Sequence, residues 1–147
     1  MPNGAAYTIA IVVSEWNTPI TSALKSAAFT TLLENGVMEN NIIVNYVPGS
    51  FELTLGAQFA CEQKKVDAVI CLGCVIQGET RHFDFICDAV ANGITKVSLK
   101  YNKPVIFGVL TPNNMQQAED RAGGKHGNKG VEAAITALKM LALKQNH

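Results

Sequence analysis

Charge is what this sequence has least of. Only 16% of its 147 residues are Asp, Glu, Lys or Arg, and 12 acidic against 12 basic side chains leave a formal net charge of zero. A balanced chain has neither the basic footprint of a nucleic-acid binder nor the cationic face that holds an anionic membrane. We therefore expect no nucleic-acid partner and no membrane partner. No apolar run approaches the ~20 residues of a membrane span, and no early segment has the charged flank and cleavage pattern of a signal peptide. The expected location is cytoplasmic. Repeats, low-complexity tracts and linkers are also missing, so residues 1–147 are expected to form one domain. The hydrophobic share is 48%, and so little charge on so small a chain favours buried subunit interfaces, the alternative being an ordinary α/β domain with a large core.

Cysteine is present without the partners that give it a special role. Cys61, Cys71, Cys74 and Cys87 all lie in apolar segments, which suits reduced, buried thiols. Cys71 and Cys74 form a C-x-x-C. A redox motif of that type opens a helix, whereas Cys71 falls inside a predicted strand and Cys74 just past it. A zinc site needs a second ligand pair, and the sequence offers none, so no metal is expected.

What the chain does have is a steady alternation of strand-like and helix-like segments. Residues 7–13 are a β-branched apolar run ending at Ser14-Glu15-Trp16-Asn17, the pattern of a buried strand and its loop. Thr18-Pro19 predicts a helix start with the Thr18 hydroxyl as cap, and Asn35-Gly36 predicts its end. Residues 42–47 give a second strand, broken by Pro48-Gly49, after which Ser50 is placed to cap a helix over 51–63. Strands over 68–72 and 104–110, helices over 83–99 and 129–143, and a short helix over 113–121 complete the series. Right-handed crossovers then build a three-layer α/β/α sandwich on a four-stranded parallel sheet, flavodoxin-like in type.

In such a sheet the loops after the strands gather at one edge, where distant residues meet around a ligand. Trp16, the sole tryptophan, is placed to stack on a flat heteroaromatic ring while Asn17 offers a donor and an acceptor; the plainer reading is a lid on the core. Ser50 and Glu52 suit a polyol, or they serve only as helix cap and dipole complement. Gly78, Glu79 and Thr80 can present backbone N–H groups and a hydroxyl to a phosphate, with His82 near enough to move a proton; otherwise Thr80 caps a helix and His82 is solvated. Arg121 can clamp a phosphate through its planar fork, with Lys129 adding a point charge, unless Arg121 is simply solvated or paired with Glu119 or Asp120. His126, in the glycine-rich turn, and the terminal His147 lack the context of His82.

Trp16-Asn17 with Ile20-Thr21, Pro48-Gly49-Ser50-Phe51-Glu52, the run from Gly73 through Gly78-Glu79-Thr80-Arg81-His82 to Asp84, Pro104-Val105-Ile106-Phe107-Gly108, and Arg121-Ala122-Gly123 with Gly127-Asn128-Lys129-Gly130 together resemble the lumazine synthase family, in matching order from Ile9 to Leu141. The resemblance implies condensation of 5-amino-6-(D-ribitylamino)uracil with 3,4-dihydroxy-2-butanone 4-phosphate to 6,7-dimethyl-8-ribityllumazine. This is a transferase step of riboflavin biosynthesis that releases phosphate and water and needs no cofactor. By position, Trp16 matches the stacking aromatic, with Asn17 beside it, and Ser50, Phe51 and Glu52 match the ribityl-holding segment. Cys74, Val75 and Ile76 match the backbone beside the pyrimidine. Phe107 matches an aromatic supplied across a subunit boundary, Glu79 and Thr80 match phosphate-binding positions, Arg121 matches the phosphate clamp with Lys129 nearby, and His82 matches the proton donor. The resemblance further implies a homopentamer, in some members built up to a 60-subunit icosahedral shell, with riboflavin synthase as a candidate partner. Trp16, Cys74 and Gln77 stand where phenylalanine, alanine and arginine are common, and Gln77 thereby removes a positive charge. Two other readings compete: a non-catalytic flavin- or phosphate-binding module of flavodoxin type, and a shell protein that has lost activity. The loop Ser14-Glu15-Trp16-Asn17-Thr18 is a poor flavodoxin phosphate loop, and the presence of both His82 and Arg121 disfavours the inactive shell.

Overall fold

The computed structural model describes residues Met1–His147. Its sheet is built from β1 (Ile9–Ser14), β2 (Ile42–Val47), β3 (Ala68–Cys74) and β4 (Val105–Leu110), all parallel, in the order β2-β1-β3-β4. β1 and β3 are buried along their whole length. Covered on both faces, a strand has no side for polar residues, and this is why these two read as unbroken apolar runs. β2 and β4, at the sheet's edges, are only partly buried.

Successive side chains of β1 point to opposite faces, and the core divides accordingly. Ile9, Ile11 and Val13 pack with Leu24 and Leu32 of α1 (Thr18–Glu34) and Leu138 of α5 (Lys129–Gln145). Ala10 and Val12 pack with Leu53 and Ala57 of α2 (Leu53–Glu62) and Val90 and Ile94 of α3 (His82–Tyr101). Each large aliphatic side chain fully withdrawn from water contributes about 1.5–3 kcal/mol of transfer free energy. After β4 come a short α4 (Met115–Asp120) and an antiparallel hairpin of β5 (Ala122–Gly124) and β6 (Gly127–Asn128). The expected three-layer α/β/α sandwich on four parallel strands is thus present.

Four local expectations need correction. Thr18 does not cap α1: Asn17 is the N-cap, in the left-handed region at φ 62°, and the Thr18 hydroxyl instead donates to the Glu15 carbonyl. Asparagine tolerates that conformation better than most residues. Ser50 is not a cap either. A single 3₁₀ turn, Ser50–Glu52, precedes α2; the Glu52 carboxylate accepts the Gly49 N–H at 3.1 Å, the Glu52 and Leu53 N–H groups donate to the Gly49 and Ser50 carbonyls, and the Ser50 hydroxyl is buried without a partner. Cys74 lies within β3 rather than past it, because the ladder with β4 runs on to pair Cys74 with Leu110. The glycine-rich stretch is a paired hairpin rather than an open turn.

The sheet order places β2 and β4 on opposite sides of the central pair, so the chain leaving β1 and the chain leaving β3 diverge. A crevice opens at the carboxyl ends of strands where the order reverses in this way.

Candidate functional site

The crevice between the ends of β1 and β3 is a cleft of about 510 Å³ lined by Trp16, Asn17, Ser50, Phe51, Glu52, Cys74, Val75, Ile76, His82 and Ile86. Every one of these except Ile86 is a residue that the sequence singles out. Ile86 was missed, although its position one turn beyond His82 on α3 puts both on one helix face.

Trp16 is 67% exposed, so its indole is not a core lid. Its ring lies over Gly49, where an added Cβ would come within 2.9 Å of Trp16 Cε3, and the Trp16 backbone N–H donates to the Pro48 carbonyl at 3.1 Å. Asn17, turned by its left-handed backbone, donates from Nδ2 to the Cys74 carbonyl at 2.9 Å. That bond ties the loop after β1 to the end of β3 and leaves Asn17 Oδ1 and one N–H for a ligand. Phe51, which also lines the cleft, is 58% exposed. The floor is close-packed: a Cβ on Gly73 would lie 2.5 Å from Ser50 Oγ and 3.3 Å from Ser14 Oγ, and both hydroxyls are buried without partners.

His82 opens α3 at the cleft, and its backbone N–H donates to Thr80 Oγ1 at 3.3 Å, so Thr80 orders the helix start. Arg81 stacks over the Phe85 ring at 5.7 Å. Burial pushes the Cys74 thiol up to about 11. It stays protonated near neutral pH, and Cys74 meets the cleft as an apolar wall with a backbone carbonyl rather than as a nucleophile. Cys71 is shifted further in the same direction by burial and by neighbouring Cys61.

Arg121 and Lys129 do not join this cleft. They line a second one of about 400 Å³ with Val109, Leu110, Thr111, Pro112, Gln117, Asp120 and His126. Phe107 lies at the β4 edge of the sheet in a third, of about 310 Å³, shared with Lys129. Glu79 and Thr80 are exposed and line none of the three. A single chain therefore separates a flat, aromatic, hydrogen-bonding cleft from a cationic one. The sequence also underrated His126: the hairpin returns it beside Arg121, a proximity that only the β5–β6 pairing reveals.

Comparison with known proteins adds a family. A family model described as 6,7-dimethyl-8-ribityllumazine synthase matches residues 6–145. A relative from Cytophaga hutchinsonii is 66% identical over 142 residues, covering 97% of this chain and 89% of its own length. Relatives from Porphyromonas gingivalis and Parabacteroides distasonis are 56% and 55% identical, covering 99% and 96% of this chain and 90% and 88% of theirs. All three are named 6,7-dimethyl-8-ribityllumazine synthase.

Proposed function

The chain belongs to the 6,7-dimethyl-8-ribityllumazine synthase family and is an enzyme of riboflavin biosynthesis, and from that premise we propose how its residues divide the reaction. The cleft around Trp16 takes 5-amino-6-(D-ribitylamino)uracil, and the Arg121 region takes the phosphate of 3,4-dihydroxy-2-butanone 4-phosphate. The single observation that carries this assignment is the cleft itself, which gathers a free aromatic face, an amide, a carboxylate and an imidazole at the point where the strand order reverses.

Trp16 stacks on the pyrimidine, Asn17 and the backbone of Cys74, Val75 and Ile76 hold its polar edge, and Ser50, Phe51 and Glu52 receive the ribityl chain. The substrate amine attacks the ketone, and loss of water gives an imine. Phosphate leaves, the ring closes on the resulting carbonyl, and a second water departs. His82 is the proton donor. Glu79, Thr80, Arg121 and Lys129 hold the phosphate.

Amine and ketone are reactive without an enzyme. Alignment of the pair can supply up to about 7–11 kcal/mol, whereas a positioned general acid gives about 10²–10⁴-fold. Orientation is the larger effect.

Within one chain Arg121, Lys129 and Phe107 lie apart from the His82 cleft, so we assign the complete site to two subunits of a homopentamer. The exposed stripe Phe51, Leu55 and Phe59, at 58%, 52% and 59%, recurs every fourth residue and gives an apolar face to bury in that ring. Further assembly into a 60-subunit shell, a cytoplasmic location and a functional partnership with riboflavin synthase belong to the same proposal.

The test is to mix the protein with both substrates and follow lumazine fluorescence together with phosphate release. Matched, catalysed appearance of both products is expected. His82→Ala should slow turnover by at most about 10²–10⁴-fold and leave measurable activity, while Arg121→Ala should raise KM chiefly for the phosphate substrate. Equal weakening of both substrates by Arg121→Ala would contradict its role.

A further inference from the structure

The second cleft contains an imidazole that the reaction above leaves without a task. His126 lines it together with Arg121 and Lys129, with Thr111 and Gln117 as neutral polar walls and Asp120 as the one acidic residue. Two backbone bonds fix this grouping: the His126 N–H donates to the Asp120 carbonyl at 2.6 Å, and the Lys129 N–H donates to the Arg121 carbonyl at 2.8 Å. Gly123 at φ 108° and Gly127 at φ 84° supply the left-handed geometry that lets so short a hairpin fold back. Asn128 then caps α5 by accepting the Gly130 N–H at 2.7 Å, so the helix starts at Lys129 with its positive end at the same cleft.

We infer that His126 is a third anion-binding group of this cleft, acting with Arg121 and Lys129 on a phosphate or sulfate dianion, and that it makes dianion affinity depend on pH. This rests on the assignment of Arg121 to the phosphate substrate. An imidazole is neutral in mildly alkaline solution and positively charged in mildly acidic solution, whereas guanidinium and ammonium groups keep their charge throughout. The other charged side chains around the hairpin are carboxylates and ammonium groups, none of them an imidazole. From α4 they are Glu119 and Asp120, and from the hairpin turn Lys125. From α5 they are Lys129 and Glu132, which lie 4.0 Å apart. α1 also packs on the hairpin and carries Lys25 and Glu34, of which Lys25 is engaged with the Tyr46 hydroxyl. His126 is thus the imidazole of its own chain beside Arg121, and the His82→Ala control separates it from the imidazole that the proposed ring brings to the same phosphate.

Sulfate is the suitable probe, because it remains a dianion where phosphate itself titrates. Isothermal titration of the intact assembly at pH 6 and pH 8 should give about three- to fivefold tighter binding at the lower pH, the scale of an exposed ion pair. His126→Gln should remove that ratio, His126→Lys should bind tightly at both pH values, and His82→Ala should keep the ratio. Persistence of the ratio in His126→Gln or in His126→Lys, or its loss in His82→Ala, overturns the inference. If Arg121→Ala binds sulfate as the wild type does, or the wild type shows no saturable binding, the Arg121 assignment itself fails. Loss of binding in Arg121→Ala with no effect of His126→Gln removes the His126 role alone.

Discussion

Trp16, Glu52 and His82 declare a cleft by type and by position after a strand, and all three line it. Ser50 has the type of a cap, yet its hydroxyl is buried and unpartnered, because the N–H groups it would cap, those of Glu52 and Leu53, donate to the Gly49 and Ser50 carbonyls. Gly49 shows what a side-chain list hides. Its φ of −133° is open to any residue, so only space forbids a Cβ there, and the obstacle is the Trp16 ring. Gly49→Ala should leave the fold intact, shift the emission of the single tryptophan and weaken the pyrimidine substrate more than the phosphate substrate. Unchanged emission and unchanged KM would mean that the indole does not rest on this glycine. The buried thiols make a separate prediction. Folding holds the Cys74 thiol near 11 and the Cys71 thiol higher still, while an unfolded thiol ionises near about 8.5. The folded state therefore retains protons that the unfolded state has released. Stability from this source is full below about pH 8.5 and falls as pH rises from there through about 11. Urea midpoints at pH 8 and pH 10.5 should show the drop, and Cys71→Ala should flatten part of it. Equal slopes in the two proteins would show that this thiol is not held protonated.

Among the elements, type and order were legible from periodicity, and closeness was not. The βα alternation gave the parallel sheet because each crossover must be right-handed, but nothing in a 3.6-residue repeat says how near two helices lie. The helix glycines carry that information. A Cβ on Gly130 of α5 would run into the backbone carbonyl of Leu24 on α1, whereas one on Gly93 of α3 would run into the Thr54 hydroxyl on α2. The first obstacle is backbone and cannot rotate away; the second is a side chain that can be trimmed. Gly130→Ala should force α1 and α5 apart at a cost of about 1–3 kcal/mol, typical of overpacking. Gly93→Ala should lose less, and Thr54→Ala should recover most of that loss in the double variant. Thermal unfolding of the four variants tests this directly, and recovery of Gly130→Ala by any single side-chain truncation on α1 would contradict the backbone contact.

For the whole molecule the open question is how two clefts make one site. Topology brings Arg121 and His82 to the same sheet edge, but a sheet has two faces, and the two residues line different clefts. Periodicity along one chain carries no information about which groups meet across two chains, and this is why the division was not legible. On the proposed ring, the cleft with His82 of one subunit is completed by Arg121 of the next. A protein carrying only His82→Ala subunits then lacks the proton donor everywhere, and one carrying only Arg121→Ala subunits lacks the phosphate clamp everywhere. Co-expressed in equal amounts, the two kinds mix within a ring, and a site that draws His82 from one kind and Arg121 from the other is intact. Random mixing makes about a quarter of the sites whole. With the phosphate substrate held well below the KM of Arg121→Ala, the mixed assembly should therefore reach about a quarter of the wild-type rate, well above the mean of its parents. If both residues belonged to one chain's site, no mixture could restore it, and the rate would stay at that mean. Sedimentation of the same samples separates the remaining case: a monomer with full activity would remove the shared site and the ring together.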